Sequence, residues 1–118
     1  MLRLASERDK ITVVSDQYGS PTSTADVARC VLDLAKTDHY GIYHGTCEGF
    51  CSWHEFACEI FRLRNIGITV EPVLSDQYRT AAKRPAYSVL DNYALKQIGM
   101  NHFRDWKISL AEYLDMQT

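Results

Sequence analysis

No stretch of this chain approaches the roughly 20 consecutive apolar residues that cross a bilayer, and no signal-peptide pattern opens it. The expectation is a cytoplasmic protein with no membrane partner. Charge of one sign is equally scarce. Thirteen basic against fifteen acidic residues leave a formal net charge of -2, without the basic footprint that nucleic-acid binding requires. The glycines form no dinucleotide turn: Gly41, Gly45 and Gly49 are spaced Gly-x-x-x-Gly-x-x-x-Gly, whereas a Rossmann turn needs Gly-x-Gly-x-x-Gly. No serine occupies a Gly-x-Ser-x-Gly elbow. The four cysteines, Cys30, Cys47, Cys51 and Cys58, would allow two bridges in a secreted protein, but without a targeting segment free thiols are expected.

What remains is ordinary globular material. With 118 residues, 46% apolar and 24% charged, the chain suits a single domain, residues 1–118, with a core of its own. Met1 to Arg8 is helix-forming but has nothing ahead of it to cap its first amides. Ile11-Thr12-Val13-Val14 reads as a strand and Gly19 and Pro21 as a turn. Ser23 with Asp26 reads as a capping box opening a helix from about Thr24 to Lys36, with Val27, Cys30, Val31 and Leu34 on one face. Gly41 to Gly45 reads as a short strand. Ser52 with Glu55 is a second capping box, and Trp53, Phe56, Ala57, Ile60 and Phe61 then recur at helical spacing. Gly67 is placed to end that helix, Ile68 to Glu71 alternates as a strand, and Pro72 closes it. Ser75 to Ser88 is a loop. A helix from about Asn92 to Ile98 stops at Gly99, and a last one from about Asp105 carries Trp106, Leu110, Tyr113 and Leu114 on one face. This order of elements implies an α/β arrangement of a few short strands with four to five helices.

Several constellations bear on chemistry. His44, Cys47, Cys51 and His54, with Cys58 beyond, are soft ligands, but their spacing misses the paired knuckles of a structural zinc site, and no metal is expected. Asp16, Asp26, Glu48 and Glu55 offer carboxylates, of which Asp26 and Glu55 are accounted for as cap partners, so spacing identifies no catalytic group. The loop Asp16 to Thr24 joins a strand to a helix, a setting that presents side chains and unpaired amides to a ligand or simply connects two elements. Arg79, Lys83 and Arg84 cluster beside Tyr78 and Tyr87. The guanidinium fork suits a phosphate and the rings suit a base or sugar, although a solvated basic loop has the same composition.

Four blocks carry a resemblance. Val13-Val14-Ser15-Asp16-Gln17-Tyr18-Gly19-Ser20-Pro21-Thr22, Ile42-Tyr43-His44, Cys51-Ser52-Trp53-His54-Glu55-Phe56-Ala57, and Lys83-Arg84-Pro85-Ala86-Tyr87-Ser88-Val89-Leu90-Asp91-Asn92 occur in this order. They resemble the C-terminal, substrate-binding portion of dTDP-4-dehydrorhamnose reductase, an extended short-chain dehydrogenase. More loosely, they are similar to the regulatory β subunit of methionine adenosyltransferase.

The resemblance implies a sugar-nucleotide-binding part of an enzyme that moves a hydride from NADPH or NADH to the 4-keto group of a dTDP-6-deoxy-hexulose, giving dTDP-L-rhamnose. It implies that the substrate cleft draws on Gln17, Thr22, Lys83 and Arg84, with Arg84 at the pyrophosphate. The family's Tyr-x-x-x-Lys pair is missing: Tyr78 and Lys83 are five apart, Tyr93 and Lys96 three apart. The cofactor site is therefore expected outside this chain, in a Rossmann half, and no catalytic residue within it. The implied partners are the dTDP-sugar and that half, or further copies of the chain. A strand at Ile42-Tyr43-His44 would extend the Rossmann sheet and, alone, expose an edge. A non-catalytic regulatory module and a fragment without independent role are the other readings.

Overall fold

The computed structural model describes residues 1–78 and 82–117. Among them, helices and short strands alternate as α1 (Leu2–Glu7), β1 (Lys10–Val14), β2 (Tyr18–Gly19), α2 (Thr24–Leu34), β3 (Cys51–Ser52), α3 (Trp53–Leu63), β4 (Thr69–Val73), α4 (Tyr93–Gln97) and α5 (Trp106–Met116). This is the α/β mixture implied by the order of turn and helix signals. The chain divides into two compact units, Met1–Gly19 with Cys51–Ser88, and Ser20–Phe50 with Val89–Thr118.

The first unit is built on β1 and β4, which pair in parallel from Lys10 opposite Thr69 to Val14 opposite Val73. Ile11 and Val13 alternate to the buried side, and α3 lies against both strands with Ala57, Ile60 and Phe61 buried. The Thr69 N–H bonds Asp9 O and the Ser15 N–H bonds Val73 O, so Thr69, Glu71 and Val73 face β1 while Val70 and Pro72 face away. Pro72 therefore does not close the strand as expected. It lies inside β4 opposite Val13, tolerated because the amide it lacks would point off the outer edge. On that same edge His54 Nε2 donates to Val70 O at 3.1 Å. By the same alternation Lys10, Thr12 and Val14 direct their backbone groups away from β4, and no strand meets them among the described residues.

α3 begins as its sequence requires. Ser52 Oγ accepts from the Glu55 N–H at 3.1 Å, and the Glu55 carboxylate accepts from the Ser52 N–H at 2.7 Å. It ends differently: Asn65, not Gly67, takes the left-handed conformation at φ 52. The Asn65 N–H bonds Arg62 O and the Ile66 N–H bonds Phe61 O, the double closure of a Schellman turn, for which a short polar side chain suffices. Tyr18 and Gly19, read as loop, form the small antiparallel pair β2–β3 with Ser52 and Cys51.

The second unit contains α2, α4 and α5. Its buried apolar residues are Cys47, Leu95, Phe103, Trp106, Leu110 and Leu114. On α5 the expected stripe holds for Trp106, Leu110 and Leu114, but Tyr113 is exposed. α4 stops ahead of Gly99, whose φ of 68 is the left-handed value expected there. α2 overturns its expected face: Val27 and Val31 are exposed, and its buried residue is Asp26. Ser23 Oγ does accept from the Asp26 N–H, yet the Asp26 carboxylate turns inward. It accepts from Ser109 Oγ at 2.6 Å, from Arg104 at 2.7 and 3.1 Å, and from Cys47 Sγ at 3.6 Å. A buried carboxylate so supplied with donors decides which side of the helix faces inward, over a stripe of two valines. The expected strand at Gly41 to Gly45 is absent, and Ile42 is 92% exposed; no neighbouring strand is there to satisfy its backbone.

Candidate functional site

Parallel strands present both carboxyl ends on one side, where loops gather and ligands bind in α/β proteins. Here the loop after β1 and the loop after β4 are fastened together. The Asp16 carboxylate accepts from the Ser75 N–H at 3.0 and 3.1 Å and from Ser75 Oγ at 2.9 Å. The bonds from the Ser75 backbone and hydroxyl hold Asp16 below its ordinary carboxylate range. Asp16 is thus a clamp between loops. Further along, the Tyr18 N–H bonds Ala86 O and the Ser88 N–H bonds Tyr18 O, both at 2.9 Å.

A cavity of about 260 Å³ opens within this first unit. Ile11, Val13 and Val14 give it an aliphatic lining, and Gln17, Trp53, Tyr78 and Arg84 line it as well. The side-chain polar groups of these last four make no hydrogen bond with another described residue. Unused polar and aromatic groups converging on one concavity are the general signature of a ligand site.

The structure brings together Gln17 and Arg84 of the expected site residues. Lys83 is exposed and lies outside the lining. Thr22 belongs to the second unit, where its hydroxyl donates to Ser20 O at 2.8 Å and accepts from the Cys47 N–H at 3.2 Å. Arg79 falls outside the described residues. Helical spacing groups Trp53 with the apolar face of α3, yet it is 46% exposed and lines the cavity. The available signal was its position in the first turn, one turn ahead of the buried Ala57 and two ahead of Ile60 and Phe61.

The soft ligands are engaged elsewhere or separated. Cys47 Sγ bonds Asp26 and Ser109, and His54 donates to Val70 O. Burial and the Glu55 charge push the Cys58 thiol up. Among the described residues no three His, Cys, Asp or Glu side chains could hold a metal ion. Nor do the spaced glycines fit a dinucleotide. A Cβ on Gly45 would stand 3.0 Å from the Phe103 ring, and one on Gly49 3.1 Å from Asp105 and Trp106, so side chains already fill the space a pyrophosphate would need.

Residues 1–118 match the family described as the RmlD substrate binding domain, and the chain belongs to that family. It is 41% identical over 114 residues to the spore coat polysaccharide biosynthesis protein SpsK of Bacillus subtilis (strain 168), covering 97% of this chain and 40% of that protein. It is similar to the crystal structure of a dTDP-4-dehydrorhamnose reductase from Clostridium acetobutylicum ATCC 824, with 46% identity and a TM-score of 0.96 over 98% of this chain and 41% of that one. A dTDP-4-dehydrorhamnose reductase from Bacillus anthracis, solved in complex with NADP, gives 37% identity and a TM-score of 0.92 over 99% of this chain and 41% of that one. The chain thus spans about 40% of the length of the curated relatives it matches, and its resemblance to the C-terminal substrate-binding portion of the reductase holds. These relatives lend no support to the methionine adenosyltransferase reading. Among the described residues no helix is long and apolar enough to cross a membrane.

Proposed function

We propose that residues 1–118 act as one substrate-binding domain, the sugar-nucleotide-binding portion of an NAD(P)H-dependent dTDP-4-dehydrorhamnose reductase that works in the cytoplasm in dTDP-L-rhamnose biosynthesis. The observation that carries this reading is the meeting of Gln17 and Arg84, both without a side-chain partner among the described residues, in one cavity at the strand ends. Arg84 holds the pyrophosphate through its planar fork, and the exposed Lys83 beside it adds positive charge. Gln17 makes polar contact with the substrate. Thr22 orders its turn, a role supported by the two hydrogen bonds its hydroxyl already makes.

The nicotinamide nucleotide, NADPH or NADH, supplies the hydride, and its site lies outside this chain. The filled space around Gly45 and Gly49 and the missing Tyr-x-x-x-Lys pair support that placement. The chain alone is accordingly inactive in reduction. A Rossmann half would continue its sheet through Ile42-Tyr43-His44, as the family resemblance implies, and the edge of β1, which no strand meets among the described residues, is where a second copy would add.

Titration of dTDP into the chain, followed by amide NMR shifts, tests the reading. Shifts are expected at Gln17, Lys83 and Arg84 and at the loops clamped by Asp16, with little change at Thr22. A well-dispersed spectrum that dTDP leaves unmoved would overturn it.

A further inference from the structure

α2 is inside-out for a helix on the outside of its unit. Such a helix ordinarily turns its charges to water and its apolar side chains to the core. On α2 the charged residues Asp26, Arg29 and Asp33 recur at i, i+3 and i+7 and so share one side. It is the side on which Asp26 is buried and held by Arg104 and Ser109, and Arg29 reaches back to the same carboxylate at 3.2 Å. The opposite side carries Val27, Ala28, Val31 and Leu32, with Ala35 at the C-cap, and no charge. All of these are exposed, Val31 to 57% and Leu32 to 62%. Single exposed apolar residues are ordinary on any surface, as Ile108 is on α5, beside the exposed Lys107 and Glu112. α2 differs in carrying a continuous strip at i, i+1, i+4, i+5 and i+8, the spacing of a helix side packed on another element.

The residues that follow α2 indicate what covers the strip. Ile42-Tyr43-His44 resembles a strand of the sheet in the cofactor-binding half, and Ile42 stands almost fully exposed. In a sheet of parallel strands, the helix that leads into a strand lies across the sheet face and packs its apolar side there. α2 is that helix: it ends at Leu34, and residues 35–41 lead from it into the segment. With 42–44 taken into the sheet, the uncharged side of α2 is the side left to lie on it, since the other holds Asp26 against Arg104 and Ser109.

We propose that the outer side of α2, through Val27, Ala28, Val31, Leu32 and Ala35, is the surface on which the nicotinamide-binding half of the reductase seats this chain, an apolar sheet face closing over the helix. The assignment rests on the reading above that the cofactor site lies outside this chain.

A chimera in which this chain replaces the matched part of the Clostridium acetobutylicum reductase, compared with the chain alone, decides it. In the chimera Val31→Lys and Leu32→Lys are each expected to lower the thermal midpoint by about 5 °C or more, because each sets a charge against an apolar sheet. In the chain alone the same lysines sit in water and should move the midpoint by less than about 1 °C. Ile108→Lys, outside the strip, should be neutral in both. A chimera unmoved by either lysine on α2 would overturn the assignment, as would an equal fall for Ile108→Lys. So would a dimer of the chain alone that Val31→Lys dissolves on gel filtration while the chimera is indifferent, since a second copy would then be the occupant. Should the chimera fail to fold, sedimentation of the chain with the separately produced remainder of that reductase takes its place. Val31→Lys must then weaken the association about ten-fold or more; no association, or one indifferent to the lysine, overturns the assignment. Titration of dTDP into the Val31→Lys chain keeps the two readings apart, with amide shifts expected to match those of the unsubstituted chain. If dTDP moved neither, the sugar-nucleotide reading would fall, and the docking surface would still be decided by the chimera.

Discussion

The carboxamide of Asn92 pairs with the backbone of Thr46 in both directions: Oδ1 accepts from the Thr46 N–H at 2.9 Å, and Nδ2 donates to Thr46 O at 2.7 Å. Nδ2 also reaches Glu48 and Asn101, each at 3.1 Å. A side chain here does what a neighbouring strand would do, on a segment that has none. Asn92 is fully buried, so Asn92→Ala should cost about 2–3 kcal/mol by leaving the Thr46 groups without partners. Asn92→Asp should cost at least as much, since it would set a carboxylate against Thr46 O and Glu48. Urea unfolding of the variants at neutral pH checks both, and an effect below about 0.5 kcal/mol would show that water replaces the amide.

Asp26 ties the second unit to pH. Burial alone would raise its pKa, but the bonds from Ser109 and Arg104, the Arg104 charge and the Cys47 thiol bring it below the ordinary 3.8. The folded value lies below the unfolded one, so the stability it confers is full above about pH 4 and is lost as pH falls through the folded value. Asp26→Asn should lose about 2–3 kcal/mol at pH 7, because among the described residues Arg104 then keeps just Glu112, at 2.6 Å, as an ionic partner. The variant should also lack this part of the acid-induced fall. Urea midpoints measured from pH 7 to pH 3 for both proteins decide the matter, and parallel curves would assign the acid sensitivity to other groups.

Thr22 separates ordering from contact. Thr22→Ser keeps both hydrogen bonds and should be nearly silent. Thr22→Val removes them and should cost about 1–2 kcal/mol of stability while changing dTDP affinity less than two-fold wherever the chain stays folded. A loss of affinity larger than the loss of stability explains would place the hydroxyl on the ligand.

The start of α3 and the end of α4 were legible because their chemistry is local, whereas the end of α3 fell on Asn65 and not on Gly67. Ser52 and Glu55 cap α3 as their spacing states, and Gly99 ends α4 in the left-handed conformation. The inward side of α2 was not legible. Val27 and Val31 mark an apolar stripe, but the partners that draw Asp26 inward, Arg104 and Ser109, lie 78 and 83 residues further along the chain. For the same reason Gln17 and Arg84 were nameable only through family likeness. What unites them in one cavity is the parallel pairing of β1 with β4 and the clamp from Asp16 to Ser75, neither of which leaves a periodic trace. Trp53 fitted a helical stripe equally well as core or as lining, and only its exposure tells the two apart.

Pro72 and His54 blunt the outer edge of β4, one by lacking an amide and the other by occupying the Val70 carbonyl, while among the described residues no strand meets the edge of β1. A two-strand ribbon sealed on one side can be extended once and no further. If copies of this chain meet through β1, the pair they form presents two sealed borders, so association ends at two and does not run on into a fibre.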